Sequence, residues 1–269
     1  MSTAAAIARP EPEPILLRSD ADGVATLTLN RPGARNALSR PLIDALQDEL
    51  DAVGDDRSVK VVVLAGNGPG FCAGHDLKEV RANPRREDHA KLFAACSRMM
   101  LSITHLPKPV IARVHGIATA AGCQLAATCD LAVASTEARF ATPGVNIGLF
   151  CSTPMVALSR AVGRKQAMEM LLTGDLFPAE HALAIGLVNR VVAPDKLDEE
   201  VYGLANQIAG KSPLTLAIGK EAFYRQVEMG LEDAYAYTSE VVADNMMARD
   251  AEEGIDAFIE KREPQWRGE

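Results

Sequence analysis

Hydrophobic residues recur along this chain with two periods, and the exchange between those periods divides it into elements. Val24, Thr26 and Thr28 alternate through residues 24–30, and the β-branched content there predicts a strand. Residues 15–18 predict a partner strand, joined to it by the turn Asp20-Ala21-Asp22-Gly23. Beyond the Arg31-Pro32-Gly33 turn the period lengthens. Ser39 is placed to cap a helix with Pro41 in its first turn, and Leu42, Ile43, Leu46, Leu50 and Val53 follow at helical spacing. Residues 59–65 are an unbroken apolar run of strand length, which predicts a parallel strand buried on both faces. Helices at 86–103 and 120–129 are interleaved with strands at 110–114 and 131–135, an alternation that predicts the α/β class.

From Thr153 onward the pattern is nearly all helical. Helices are expected at 153–161, 164–173 and 178–185, with Gly174 and Gly186 as stops, and one more strand at 187–192. Residues 196–262 read as helix, restarted at Ser212-Pro213. No internal repeat of fixed period is visible. The economical division is a tail over residues 1–14, a core over 15–195 and a C-terminal helical region over 196–269.

Composition narrows the function classes. With 269 residues, 48% of them hydrophobic, the chain can bury one sizeable core. A net charge of -8 argues against nucleic acid or anionic membrane as a partner. No apolar run approaches the roughly 20 residues that span a bilayer. Cys72, Cys96, Cys123, Cys129 and Cys151 are odd in number and lack CxxC pairing, so they read as reduced thiols and not as a metal site. The Ala-, Pro- and Glu-rich start lacks the pattern of a secretory signal and reads as disordered; localisation is therefore expected to be cytoplasmic.

Three segments could carry chemistry. Leu29 to Ser39 is a strand, a tight turn and a capped helix, which by itself is only a well-formed connection. Gly66-Asn67-Gly68-Pro69-Gly70-Phe71-Cys72-Ala73-Gly74-His75-Asp76-Leu77-Lys78-Glu79 leaves a buried strand through four glycines and enters a helix. Glycine there permits positive φ and close approach of a ligand to backbone N–H groups. His115-Gly116-Ile117-Ala118-Thr119-Ala120-Ala121-Gly122-Cys123-Gln124 also leaves a strand, and its small residues open a helix with free N–H donors. Two such junctions can offer a pair of amides to one oxygen. Neither spells GxxxxGK[ST] or a clean GxGxxG, so nucleotide binding is weakly supported.

In this order and spacing, the three segments resemble the signature of the crotonase (enoyl-CoA hydratase/isomerase) superfamily. Leu172-Thr173-Gly174, the stretch from Ala182 to Val188 and the terminal stretch from Glu253 to Arg262 are similar too. Gly144, followed by Phe150-Cys151-Ser152-Thr153-Pro154, resembles the enoyl-CoA hydratase domain-containing protein 3 branch. The resemblance implies an α/β fold with a ββα superhelix core, and a C-terminal helical region that builds homotrimers pairing into hexamers. It implies an acyl-CoA thioester as substrate or ligand and no permanently bound cofactor. The thioester carbonyl would sit between the N–H groups of His75, just after Ala73-Gly74, and Ala121, before Gly122. Coenzyme A would run along the Pro32–Asn36 turn, which holds Ala34, and the loop from Phe71 to Gly74, beside Asp76 and Leu77. Arg31, Arg35, Lys78 and Lys261 would face its phosphates, unless they are solvated surface charges.

One departure limits the analogy. Hydratases of the family carry glutamates where this chain has Gln124 and Gly144. Gln124 can hydrogen-bond a water but cannot take its proton, and Gly144 has no side chain. Each general acid or base contributes about 10²–10⁴-fold in rate, so efficient hydration is not expected. His75 could substitute, or its ring could simply face solvent or cap a turn. Cys151 and Ser152 could substitute, or Ser152 or Thr153 could cap a helix begun by Pro154. Three readings stay open: a nominal enoyl-CoA hydratase or isomerase, a non-catalytic acyl-CoA binder, and another reaction such as thioester hydrolysis.

Overall fold

An antiparallel hairpin forms one edge of the main sheet. The computed structural model describes residues 13–269, and the expected tail lies outside them apart from Glu13 and Pro14. β1 (Leu16–Ala21) pairs with β2 (Val24–Leu29), Leu16 opposite Leu29 and Ala21 opposite Val24. β1 runs further than expected because the turn needs only Asp22 (φ 51) and Gly23 (φ 78), two left-handed residues whose twist suits a two-residue hairpin.

α1 (Arg40–Asp55) then crosses over to β3 (Val61–Gly66), which runs parallel to β2. The short β4 (Gly70–Cys72) follows, then α2 (Leu77–Ala82) and α3 (Arg86–His105). β5 (Val110–Val114) is followed by β6 (Ile117–Thr119) and α4 (Ala121–Thr128), and β7 (Leu131–Ser135) by β8 (Arg139–Ala141). Three times a long strand bends into a short one, and a helical segment follows. This is the ββα unit that the resemblance implied. The units are unequally spaced, so no fixed period shows in the sequence. After β8 come α5 (Pro154–Ala161), α6 (Arg164–Thr173), β9 (Phe177–Pro178), α7 (Ala179–Ala184) and β10 (Arg190–Val192). The last strand is shorter than expected, because Asn189 uses its side-chain oxygen to accept from the Ala132 N–H.

The long strands form one sheet in the order β1-β2-β3-β5-β7-β10, and the short ones a second, β4-β6-β8-β9. Residues alternate faces along the buried strands. Val62 and Leu64 pack with Leu42, Leu46 and Met99 from α1 and α3, while Val61 and Val63 face the opposite side. There they meet Leu197, Val201 and Ala205 of α8 (Leu197–Ala209). α8 is thus built into the core, and the outlying helices are α9 (Pro213–Gln226), α10 (Leu231–Met246) and α11 (Arg249–Glu260).

A buried polar knot ties α9 back to the core. Asp130, just after α4, accepts from the Val110 N–H (2.7 Å), Lys220 Nζ (2.7 Å) and the Tyr224 hydroxyl (2.8 Å). Lys220, 7% exposed, also donates to the carbonyls of Ile103 and Lys108.

Candidate active site

β4 and β6 are parallel neighbours, so the chain leaves both strands at the same edge of the second sheet. After β4, Gly74 turns with φ 94, and the segment pairs with the start of the first helical connection. The Gly74 carbonyl accepts from Leu38 (2.7 Å), and the Leu38 carbonyl accepts from Asp76 (3.1 Å). This parallel bridge uses the groups on either side of His75 and leaves the His75 N–H facing the other way. After β6, the Ala120 N–H donates to the Ala141 carbonyl (2.9 Å). Ala120 then adopts φ 51 and ψ -118, a conformation that costs a non-glycine residue about 1–3 kcal/mol. That turn makes Ala121 the first residue of α4. Among the described residues, neither the His75 nor the Ala121 N–H has a hydrogen-bond partner.

Two missing side chains let the loops touch. A Cβ on Gly74 would lie 2.8 Å from the Ala120 Cβ and 3.3 Å from the Ala121 nitrogen. One on Gly122 would fall 2.0 Å from the Cys72 carbonyl oxygen. Substitution at Gly122 would therefore push β4 away from α4. Ala73 is held by its N–H to the Arg35 carbonyl (3.0 Å), and its own carbonyl accepts from Thr119 Oγ1 (3.2 Å).

The two positions of the absent glutamates lie in α4, beyond the second donor, and after β8, the strand paired with β6. Gln124 lies one turn along α4, its N–H on the Ala120 carbonyl (3.0 Å). It is 5% exposed, and its Oε1 is buried without a partner. Gly144 is enclosed in the turn that follows β8 and Thr142. A Cβ there would meet the Leu149 carbonyl oxygen at 2.7 Å and Cys151 Sγ at 2.9 Å. The Cys151 sulfur accepts the Gly144 N–H at 3.3 Å, so it occupies the space a side chain at 144 would need. Burial pushes the Cys151 thiol up, which keeps it protonated, with a weaker opposing pull from the Gly144 N–H. Thr142 is fully buried and its Oγ1 has no partner.

The His75 ring stands edge-on to Phe93 of α3, with centroids 5.1 Å apart. Its Nε2 is enclosed and unpartnered, and burial pushes the imidazole down to about 4. The ring is therefore neutral near pH 7 and a weak base. Neither Ser152 nor Thr153 caps α5 through its side chain. Ser152 Oγ donates instead to the Phe150 carbonyl, and Thr153 already has helical backbone angles.

The expected phosphate contacts divide. The Arg31 guanidinium is committed to Asp76 Oδ2 (2.9 Å) and the Ala37 carbonyl, so it ties the first turn to the start of α2 and is not free for a phosphate. Asp76 in turn caps α2 through the N–H groups of Lys78 and Glu79, and its carboxyl is held below the usual range chiefly by Arg31. Arg35 and Lys78 are exposed near the loop, Ala34 is half-buried, and Leu77 is 54% exposed at the first position of α2. Phe71 is wholly buried, so its ring cannot face a ligand and only its backbone remains for one. Lys261 closes α11 in a left-handed conformation, and α11 packs on α9 and α10.

Sequence reasoning placed Asn36 only at the end of the Pro32–Asn36 turn and gave its side chain no role. It is buried with φ 55, its Oδ1 accepts the Arg31 N–H, and its Nδ2 donates to the Asn67 and Gly70 carbonyls. Those bonds lock the first turn to the loop before β4. An asparagine closing a tight turn was the available signal. Thr142 carried none.

A profile of the enoyl-CoA hydratase/isomerase family matches residues 19–269. The chain is 47% identical over 259 residues to the human enoyl-CoA hydratase domain-containing protein 3, mitochondrial, covering 96% of this chain and 85% of the relative. It is 36% identical over 254 residues to the Escherichia coli 2,3-dehydroadipyl-CoA hydratase, covering 94% and 98%. Among solved structures, the enoyl-CoA hydratase of Mycobacterium smegmatis superposes with a TM-score of 0.93 at 58% identity, covering 94% of this chain and 99% of that one. The expectation of a cytoplasmic protein is overturned by these matches, since the human relative and its rat counterpart are named as mitochondrial. Composition and thiol count did not discriminate between reducing compartments.

Proposed function

The chain belongs to the enoyl-CoA hydratase/isomerase family, and from that premise we propose that it binds an acyl-CoA thioester with the carbonyl oxygen between the N–H groups of His75 and Ala121. The observation that carries this reading is the pair of unpartnered backbone donors at the ends of two parallel strands, held together by Gly74 and Gly122. A thioester oxygen gains charge as an enolate forms. Fixed amides stabilise that charge, each typically by about 3–4 kcal/mol. Arg35 and Lys78 are the exposed cations best situated for the phosphates of coenzyme A.

Hydration is the slow part of this proposal. Gln124 cannot accept a proton, Gly144 offers no group, and His75 is too weak a base to replace them at neutral pH. Thioester hydrolysis through Cys151 draws no support, because its thiol is buried and protonated. A reading as a trimer or hexamer is supported by the apolar residues left exposed on α10 and α11, among them Leu231, Tyr235 and Phe258.

Two measurements test the proposal. Butyryl-CoA is expected to bind in calorimetry, and failure of butyryl-CoA and crotonyl-CoA alike to bind would remove the reading altogether. Crotonyl-CoA is expected to hydrate far below the ordinary range of about 1–10³ per second. Turnover within that range would show that Gln124 and Gly144 do not limit hydration.

A further inference from the structure

Asn67 is the one asparagine in the chain that is followed by glycine, and it stands exposed in the loop between β3 and β4. The main-chain nitrogen of a following residue can close a small ring on an asparagine Cγ, and glycine, having no Cβ, lets it approach. We propose that Asn67 is a self-modification site, where attack by the Gly68 nitrogen turns the side-chain amide into an acid and re-routes the main chain, and that the change weakens thioester binding. That last effect rests on the reading above, that the segment beyond β4 holds the thioester.

The fold requires the glycine. Gly68 has φ 77, and a Cβ on it would fall 2.5 Å from the Pro32 Cβ. Its N–H has no hydrogen-bond partner among the described residues, so the nitrogen is uncommitted. The other end of the same peptide is not. The Asn67 carbonyl accepts from Asn36 Nδ2 at 2.9 Å. A donor on that oxygen draws charge out of the peptide and makes its nitrogen easier to deprotonate, as in any polarised chain of hydrogen bonds. The Asn67 N–H is anchored on the Leu29 carbonyl at 2.9 Å, while its side chain is held only by a bond at the surface, Nδ2 to Asn30 Oδ1 at 3.1 Å.

Water is the only co-reactant. The Gly68 nitrogen gives its proton to hydroxide and bonds to Asn67 Cγ. The bond from Cγ to Nδ2 breaks, and Nδ2 takes a proton and leaves as ammonia. Water then opens the cyclic imide. Cleavage at Cγ yields aspartate, and cleavage at the former main-chain carbonyl yields isoaspartate. The sum is asparagine plus water giving the acid plus ammonia. In the isoaspartate form the chain runs through Cβ and Cγ and is one carbon longer. Three contacts resist that insertion: Asn36 on the Asn67 carbonyl, His115 Nε2 on the Gly68 carbonyl (2.9 Å), and Pro32 against Gly68. Asn36 Nδ2 also donates to the Gly70 carbonyl, where β4 begins (2.8 Å). The added carbon is therefore passed into β4, and from there to the Gly74 turn and the His75 N–H.

The test holds the purified protein at mildly alkaline pH and body temperature for several days and maps it by peptide mass spectrometry, with isoaspartate read by isoaspartyl methyltransferase labelling. Conversion of residue 67 to acid, mostly isoaspartate, is expected in the wild type. Asn67→Gln, which can form only a larger and slower ring, is expected to stay unconverted and to keep the fresh protein's affinity for butyryl-CoA. The isoaspartate form, separated by its added negative charge, is expected to bind butyryl-CoA about tenfold more weakly, the scale of one lost hydrogen bond. If residue 67 remains asparagine in the folded protein over a period in which the urea-unfolded chain converts, the modification proposal fails. If it converts and affinity holds, the coupling to the thioester site fails. If fresh protein binds no thioester, the reading above fails, and mass spectrometry still decides the modification.

Discussion

Gly144 and Cys151 behave as one position. The sulfur fills the volume a side chain at 144 would take and accepts the hydrogen of that residue's amide. Gly144→Ala is expected to lower stability by about 1–3 kcal/mol, as overpacking does in a closed core. Adding Cys151→Ala should return at least about 1 kcal/mol of that loss, because the two changes share one space. Chemical denaturation of the four members of the cycle measures the coupling, and additive losses would show that the contact is slack. His75 gives a second residue-scale prediction. Its folded imidazole lies at about 4 against an ordinary 6.5, so the unfolded chain binds the extra proton between those values. Stability should therefore fall as pH drops from 6.5 toward 4, by up to about 3 kcal/mol from this group. His75→Phe should flatten that part of a pH–stability profile. An unchanged slope would mean the ring is more solvated than its enclosed Nε2 indicates.

At the scale of elements, the long strands were legible and the short ones were not. Residues 61–66 announce themselves by continuous β-branched and apolar side chains buried on both faces. β4, β6 and β8 have three residues each, too few for any period, and they read as loop. The candidate donors stand immediately beyond two of those strands and are main-chain groups, so no residue type marks them. They could be located only through resemblance. Glycines 74 and 122 were the visible trace, since each marks a place where one backbone approaches another. The capping of α1 by Ser39 was legible as well, with Ser39 Oγ accepting the Leu42 N–H. The knot between α9 and the core was half legible. The restart at Ser212-Pro213 marked the start of α9, but nothing in the pattern linked Asp130 to Lys220, 90 residues away. Lys220→Met should leave Asp130 with one partner fewer in a largely buried setting and cost about 3–5 kcal/mol. Hydrogen exchange should then quicken first in α9, and a uniform change across the chain would contradict the knot's local role.

The whole molecule combines a net charge of -8 with a helical end that leaves large apolar side chains in water. Phe258 is 85% exposed, and Leu231, Tyr235 and Ile259 are also largely bare. A patch of this kind is unusual for a monomer and is expected to be covered by other copies of the chain. Sedimentation should therefore report a species larger than 28.7 kDa at micromolar concentration. Phe258→Glu with Leu231→Glu should shift it toward the single chain, and a wild-type monomer would leave those side chains without a purpose in assembly.

The contact between Gly122 and the Cys72 carbonyl has a longer reach than local fit. It fastens together the two places where the backbone itself would polarise a carbonyl. Almost any codon change nearby leaves a peptide hydrogen in place, proline being the exception. Inheritance can thus rewrite the amide, thiol and imidazole surrounding a captured acyl group while the means of activating it persists. In such a scaffold the chemistry is free to drift and the grip is not.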